Sequence, residues 1–94
     1  MKGRRKGEYP VKKATVLKID GTQKELDHQP TLKEAQGIVG GYIEILRLGL
    51  SRYLVVNEDG KPLDLPLNQA TSTICSWGIV GDAILLEGWS SVAS

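Results

Sequence analysis

Residues 42–60, which read YIEILRLGLSRYLVVNEDG, decide the fold of this chain. Successive side chains of a β-strand point to opposite faces, so a strand over 42–48 places Ile43 and Ile45 on one face and Leu46 and Leu48 on the other. Residues 52–56 return as its paired strand. Gly49 lies between the two runs and predicts a type II′ hairpin turn, which favours Gly at its first central position. Both faces of the hairpin are apolar, which is typical of central strands. Residues 57–60 then predict a turn.

A short helix is predicted before this hairpin. Residues 31–34 (TLKE) form a capping box, in which a Thr hydroxyl and a Glu carboxylate bond each other's backbone N–H groups. Leu32, Ala35 and Val39 follow at helical spacing and share one face. Gly40, followed by a second glycine, ends the helix because glycine adopts a left-handed conformation without a steric clash.

Two strands are predicted ahead of the helix. Residues 14–20 alternate as a strand does, and Asp20 with Gly21 predicts a type I′ turn because both types tolerate positive φ. Residues 22–27 return as the paired strand. They are polar apart from Leu26, which favours an edge strand with one inward side chain.

Beyond the hairpin the pattern is weaker. Residues 68–76 predict a second short helix with Asn68 as its N-cap, although β-branched residues disfavour it. Residues 83–87 (AILLE) predict a fully buried strand, and residues 88–94 predict a frayed tail.

These elements give the order β-β-α-β-β-α-β and the α+β class. We expect a small antiparallel or mixed sheet with one or two short helices on one face. The predicted organisation is a basic flexible arm at 1–13, one domain at 14–88 and a short tail at 89–94.

Composition excludes several kinds of chemistry. A chain of 94 residues fits one domain. One Cys and one His exclude an internal disulfide framework and a Cys/His zinc cluster, and we expect no metal and no cofactor. Residues 65–81 are the longest uncharged run, but they are too polar and too short for a bilayer helix. No secretory signal is recognised, and we expect a cytoplasmic protein without membrane contact.

Charge is unevenly distributed along the chain. Residues 1–13 carry six bases and one acid, a net of +5, whereas residues 14–94 carry six bases and ten acids, a net of −4. A basic arm of this kind can bind nucleic acid, and a solvated terminus that aids solubility is the alternative. The candidate nucleic-acid-binding residues are Lys2, Arg4, Arg5, Lys6, Lys12 and Lys13.

Catalytic candidates are few, and we expect no enzyme and no catalytic residue. Nucleophilic catalysis needs a base beside the nucleophile, and nothing in the sequence supports a dyad of Cys75 with His28. A buried structural role is expected for Cys75, and a backbone bond at the start of a strand is expected for Asp82. A small hydrolase or nuclease that uses Asp64, Asp82 or His28 is a minor alternative.

The candidate ligand-binding residues are Arg47, Arg52 and Asn68. The two arginines flank the predicted Gly49 turn, and on one face they would clamp an anion between them. A soluble hairpin tip is the alternative. Asn68 stands at a predicted helix start, where it either caps the helix or faces a phosphate.

Four short motifs occur in a recognisable series: VGGYIE at 39–44, VNEDG at 56–60, LPLN at 65–68 and IVGDAI at 79–84. This series resembles a family of small proteins known only as a domain of unknown function, common in bacteriophages, large DNA viruses and mobile elements. The resemblance covers about residues 14–88.

The resemblance implies a viral or mobile-element accessory protein acting in the cytoplasm of a host cell. Such a protein would bind a host protein or a small anionic ligand, with a possible counter-defence role, and the family brings no recognised catalytic residue. A homo-oligomer is plausible because a small sheet has open edges, and Tyr9, Trp77 and Trp89 are its interface candidates. The second expectation is a nucleic-acid-associated protein that uses the basic arm.

Overall fold

The computed structural model describes residues 12–60, 65–76 and 78–93. Its class is α+β, with one α-helix and a five-stranded sheet in the described part. No helix of these residues is long and apolar enough to cross a membrane. The elements in chain order are β1 (Lys13–Leu17), β2 (Gln23–Leu26), α1 (Leu32–Val39), β3 (Ile43–Gly49), β4 (Arg52–Asn57), a 3-10 helix (Gln69–Thr73) and β5 (Ala83–Glu87).

The sheet is antiparallel throughout, and its strand order is β2-β1-β5-β4-β3. The two predicted hairpins, β1–β2 and β3–β4, are both present. The last strand, β5, lies between them, with Val16 and Val55 both paired to Ile84. The expectation that the 42–60 hairpin lies wholly in the centre was therefore wrong for β3. It is an edge strand, whose apolar side chains pack only partly against the core.

Each face of the sheet carries its own hydrophobic cluster. On one face, here called the α1 face, Ala35 and Val39 of the helix pack with Val55, Ile84 and Leu86. On the other, the 3-10 face, the packed side chains come from strands and from the 3-10 region. They are Leu17, Leu54, Val56, Ile79, Ala83 and Leu85, with Ala70, Ile74 and Cys75 against them.

The second predicted α-helix is a short 3-10 helix, and it lies on the face opposite α1. The sequence predicted an α-helix here and helices on one face only. The helix type and its face both differ from those expectations. The side chain of Asn68 makes no cap bond, and β-branched Thr71 and Thr73 stand within the segment. Both features weaken an α-helix. Ala70 and Ile74 nevertheless pack against the cluster on the 3-10 face.

The helix α1 confirms its sequence signals. Thr31 accepts from Glu34 N at 3.1 Å, and Glu34 Oε1 accepts from Thr31 N at 2.9 Å. Gly40 caps the other end at a φ of 85°. Ala35 and Val39 are buried, but Leu32 is 42% exposed and lies off the packed face.

Both hairpin turns differ from the types that the sequence predicted. At the first, Gly21 has a φ of 89° but Asp20 has no positive φ, so the turn is not type I′. Lys18 N instead donates to Thr22 O at 3.0 Å around a three-residue loop, a common hairpin connection with a left-handed glycine at its end. At the second, Ser51 rather than Gly49 has positive φ, at 59°.

Residues 88–93 are bound to the domain, although the sequence predicted a frayed tail. Ala93 exchanges backbone bonds with Leu32 N at 2.7 Å and Pro30 O at 2.9 Å. Trp89 and Val92 pack against the cluster on the α1 face. Burial of the Trp89 side chain against this cluster keeps the segment in place, although the residues around it are small and polar.

Candidate functional site

The buried side chain of Asn57 joins two of the motifs. Its Nδ2 donates to Val39 O at 2.9 Å, at the end of α1, and its Oδ1 accepts from Asp59 N at 2.7 Å. A Cβ added to Gly41 would lie 3.1 Å from that Nδ2 atom. Asn57 therefore locks the end of α1 to the turn after β4, a structural role.

Asn68 has a comparable role on the 3-10 face. Its side chain is 1% exposed, and its Nδ2 donates to Leu17 O and Gly81 O, both at 2.8 Å. Its Oδ1 has no hydrogen-bond partner in the described part of the chain. The structure thus places this candidate ligand-binding residue inside the domain, where it ties the 65–68 segment to β1.

Asp82 bonds a distant turn rather than its own strand. Its Oδ1 accepts from Ile19 N at 2.9 Å, which joins the entry of β5 to the loop after β1. The neighbouring Gly81 has a φ of 78°, and a Cβ there would lie 2.8 Å from Leu65 Cδ1. Three polar residues of these motifs, Asn57, Asn68 and Asp82, thus bond backbone groups of separate segments.

His28 is engaged by carboxylates at both ring nitrogens. Nδ1 lies 2.6 Å from Asp27 Oδ1, and Nε2 lies 2.9 Å from Glu34 Oε2. The hydrogen bond to Asp27, followed by that to Glu34, raises the pKa of His28 above its ordinary value. The bond from His28 lowers the pKa of Asp27, and the backbone N–H of Thr31 does most to lower the pKa of Glu34. Because carboxylates engage both ring nitrogens, neither nitrogen of His28 is free to take a proton from a substrate as a general base would.

The other catalytic candidates do not gather around His28. Cys75 packs on the 3-10 face, whereas His28 is bonded to Glu34 of the helix on the opposite face, so the two form no dyad. Asp64 lies outside the described residues. Within the described ranges, no group of three His, Cys, Asp or Glu residues is placed to hold a metal ion.

The two candidate arginines project from opposite faces of the sheet. Arg47 pairs with Tyr53, which packs on the α1 face. Arg52 pairs with Glu87 and lies on the 3-10 face, where its Nε is 3.7 Å from Glu87 Oε2. The structure therefore does not bring them together as a clamp. Arg47 forms no hydrogen bond or ion pair with another described residue.

A cavity of about 320 Å³ surrounds Arg47 at the tip of the β3–β4 hairpin. The left-handed Ser51 turns the chain there, and its carbonyl accepts from Gly88 N at 2.8 Å. That bond holds the segment after β5 beside the hairpin. We call this cavity the Arg47 cleft, and its described lining residues are Arg47, Leu50, Ser51, Tyr53, Gly88, Trp89 and Ser90.

A second cavity, of about 360 Å³, opens on the 3-10 face. We call it the charged groove. It lies between the 3-10 region and the strands β2, β1 and β5. Its described lining residues are Lys13, Thr15, Leu17, Gln23, Glu25, Ala70, Thr73, Ile74, Leu85 and Glu87.

Electrostatics distinguishes the two cavities. The charged groove is lined by two acidic residues, Glu25 and Glu87, and one basic residue, Lys13. Its net charge is negative, which disfavours an anion. In the Arg47 cleft the guanidinium is the charged group among the described lining residues. A guanidinium presents several N–H donors in a planar fork that suits carboxylate and phosphate. The cleft is therefore the better candidate for an anion site.

Two of the six candidate nucleic-acid-binding residues lie in the described part of the chain. Lys2, Arg4, Arg5 and Lys6 lie outside the described residues. Lys12 is exposed, and Lys13 is the first residue of β1 and lines the charged groove. Tyr9 and Trp77, two of the expected interface residues, also lie outside the described part, and Trp89 packs within the domain.

The fold is a small α+β domain whose sheet is antiparallel, with a surface cleft around Arg47, an arginine that has no partner among the described residues. The chain belongs to a family described as a domain of unknown function (DUF3846), whose sequence model matches residues 12–91. The expectation that the chain belongs to a family known only as a domain of unknown function is thereby confirmed. No curated protein and no solved structure matches the chain significantly.

Sequence reasoning found Arg47 but missed the rest of the cleft. Ser51 was part of a turn, and Trp89 and Ser90 belonged to a predicted frayed tail. The available signal was Gly88 followed by a tryptophan, since a left-handed glycine, here at a φ of 86°, can turn the chain back onto the sheet.

Proposed function

We propose that this protein is a non-enzymatic binding protein that takes a small anionic ligand in the Arg47 cleft. The observation that carries the proposal is an exposed arginine with no partner among the described residues, set in a cavity of about 320 Å³. Charge-assisted hydrogen bonds from such a guanidinium to carboxylate or phosphate are among the stronger polar contacts in proteins.

The biological setting belongs to the same proposal. The family resemblance favours an accessory protein of a virus or mobile element that acts in the cytoplasm of its host. Sequestering a small anionic ligand of the host is one way in which such a protein would counter a defence. A host protein bound at the same surface is the other form of the proposal.

The first experiment compares anion binding by two arginine variants. Isothermal titration with inorganic phosphate and with ribose 5-phosphate should show binding that Arg47→Gln weakens at least about tenfold, because a charged hydrogen bond is lost. Arg52→Gln is the matched control, since it removes the same charge on the opposite face. Equal effects of the two variants, or no binding by the unaltered protein, would overturn the proposal.

Native mass spectrometry of the protein purified from cells gives a second readout. A mass above that of the denatured chain would reveal a retained small molecule, and its loss in Arg47→Gln would place it in the cleft. The same spectrum reports whether the protein forms a homo-oligomer. A host protein retained in place of a small molecule would support the second form of the proposal.

A nucleic-acid-associated role is the second candidate function, favoured by the net charge of +5 on residues 1–13. Counterion release makes such binding fall steeply with salt. A chain that begins at Lys12 keeps β1 whole and removes four of the six basic residues of the arm. Salt-sensitive binding of DNA or RNA should disappear in this truncation, and unchanged binding would refute a role for the arm.

A further inference from the structure

The Arg47 cleft contains aromatic side chains beside its cation, and this combination narrows the class of ligand. We propose that the ligand joins an anionic group to a planar aromatic ring, as a nucleoside monophosphate does. The inference rests on the proposed function, because it names the ligand class of the same site. It follows from the size of the cleft, from its single described charge and from its two aromatic residues.

Size argues for a small molecule. The cleft measures about 320 Å³, which lies near the lower end of the roughly 300–1,000 Å³ typical of ligand sites. A single nucleotide suits that volume, whereas an oligonucleotide or a peptide would extend well beyond it. The ligand is therefore a monomeric unit.

The anionic half of the ligand would lie at Arg47. The guanidinium can donate two parallel hydrogen bonds to one phosphate. Ser51 and Ser90 also line the cleft, and their hydroxyl groups can donate to the remaining phosphate oxygens. No carboxylate occurs among the described lining residues, so nothing described there repels the anion.

The planar half of the ligand would lie against Tyr53 and Trp89. Both aromatic residues are partly buried and pack against the cluster on the α1 face, which fixes them in place. Bases stack on such aromatic residues, and each stacked base typically strengthens binding about tenfold. Leu50 is 86% exposed on the rim of the cleft and offers a further apolar contact to a ring.

The test compares ligands that share a phosphate and differ in the ring. AMP, GMP, CMP and UMP are titrated in turn, with ribose 5-phosphate as the ring-free probe and adenosine as the phosphate-free probe. We expect at least one nucleotide to bind about tenfold more tightly than ribose 5-phosphate, and adenosine to bind more weakly than AMP.

Tryptophan fluorescence tests the ring contact while every described lining residue of the cleft is kept. The chain has two tryptophans, so Trp77→Phe leaves Trp89 as the single reporter. The nucleotide that binds should quench this fluorescence saturably, and ribose 5-phosphate should quench it much less. Tyr53→Leu should weaken nucleotide binding more than it weakens ribose 5-phosphate binding. Tyr42→Leu is its matched control, because Tyr42 is 68% exposed and does not line the cleft.

The outcomes separate this inference from the proposed function. If ribose 5-phosphate binds through Arg47 and no nucleotide binds more tightly, the aromatic ligand class is wrong and the anion site stands. If none of the phosphate compounds binds, the proposed function fails as well. Nucleotide binding that Arg47→Gln leaves unchanged would overturn the assignment to this cleft.

Discussion

Three polar side chains, Asn57, Asn68 and Asp82, bond backbone groups of distant segments. Their partners lie 18, 51 and 63 residues away along the chain. An unsatisfied buried backbone group costs about 1–3 kcal/mol, so the buried bonds of Asn57 and Asn68 fix where a loop crosses the domain. The exposed bond of Asp82 ties the loop after β1 to the entry of β5. The sequence shows the residues but not their partners, because such contacts form only when the sheet has folded. That is why Asn68 was predicted to cap a helix or bind a ligand.

His28 provides the pH dependence that belongs to the residue scale. Its ordinary pKa of 6.5 is raised in the folded protein by Asp27 and Glu34. A raised pKa stabilises the fold below the unfolded pKa, and this contribution is lost as the pH rises through the folded value. The lowered pKa values of Asp27 and Glu34, ordinarily 3.8 and 4.5, act in the opposite direction, and their contribution is lost as the pH falls.

We therefore expect the His28 cluster to stabilise the protein most between the ordinary pKa values of its carboxyls and 6.5. His28→Gln should lower the unfolding temperature most within that window, and the difference should shrink as the pH rises above neutrality. Thermal unfolding of both proteins from pH 4 to pH 9 measures this. Lys33→Gln, an exposed change on the same helix, should show no such profile. A difference that is constant with pH would contradict the role of the charged imidazole.

The element that the sequence predicted best is α1, because its signals are local. A capping box, two inward side chains and a terminal glycine all lie within ten residues of one another. The hairpin turns were predicted less well because turn type depends on which residue takes positive φ. Gly49 was favoured for that role, yet Ser51 takes it, at the point where its carbonyl accepts from Gly88 N.

Two glycines of α1 should respond in opposite ways to the same substitution. Gly37 lies inside the helix, and an added Cβ meets nothing within 4 Å. Gly37→Ala should stabilise the protein by up to about 1 kcal/mol, because glycine is the weaker helix former. Gly40 has a φ of 85°, and Gly40→Ala should destabilise by about 1 kcal/mol or more.

Chemical denaturation of the two glycine variants beside the unaltered protein checks both signs. Both variants replace a glycine by an alanine, at positions three residues apart, so each is the control for the other. Two changes of equal sign would show that the left-handed cap of α1 does not govern its stability.

At the scale of the whole molecule, β5 carries the two hydrophobic clusters on its two faces. Ile84 and Leu86 belong to the α1 face, and Ala83 and Leu85 to the 3-10 face. The sequence predicted this strand correctly, with all of its residues, because a continuous apolar run between glycines has few other solutions. It did not predict the strand order, since nothing local shows that β5 inserts between β1 and β4. For the same reason the edge position of β3 was missed.

Because one strand carries both clusters, we expect the two faces of the sheet to unfold together. Ile84→Val on the α1 face and Ile79→Val on the 3-10 face should each lower the free energy of unfolding by about 0.5–1.5 kcal/mol. Trp89 fluorescence in the Trp77→Phe background and the reactivity of the Cys75 thiol report on the two faces separately. Both probes should shift by the same amount in both variants, since coincident transitions define two-state unfolding. Separate transitions at the two probes would contradict a single cooperative unit.

The central position of β5 also affects how the chain folds during its synthesis on the ribosome. As the chain leaves the ribosome, β1–β2 and β3–β4 can pair locally, but β1 and β4 each keep one unpaired edge until β5 has emerged. Such edges are templates for pairing with other chains, and non-local pairing is the slow part of folding. The nascent chain is thus most vulnerable to aggregation just before β5 emerges and pairs with both edges.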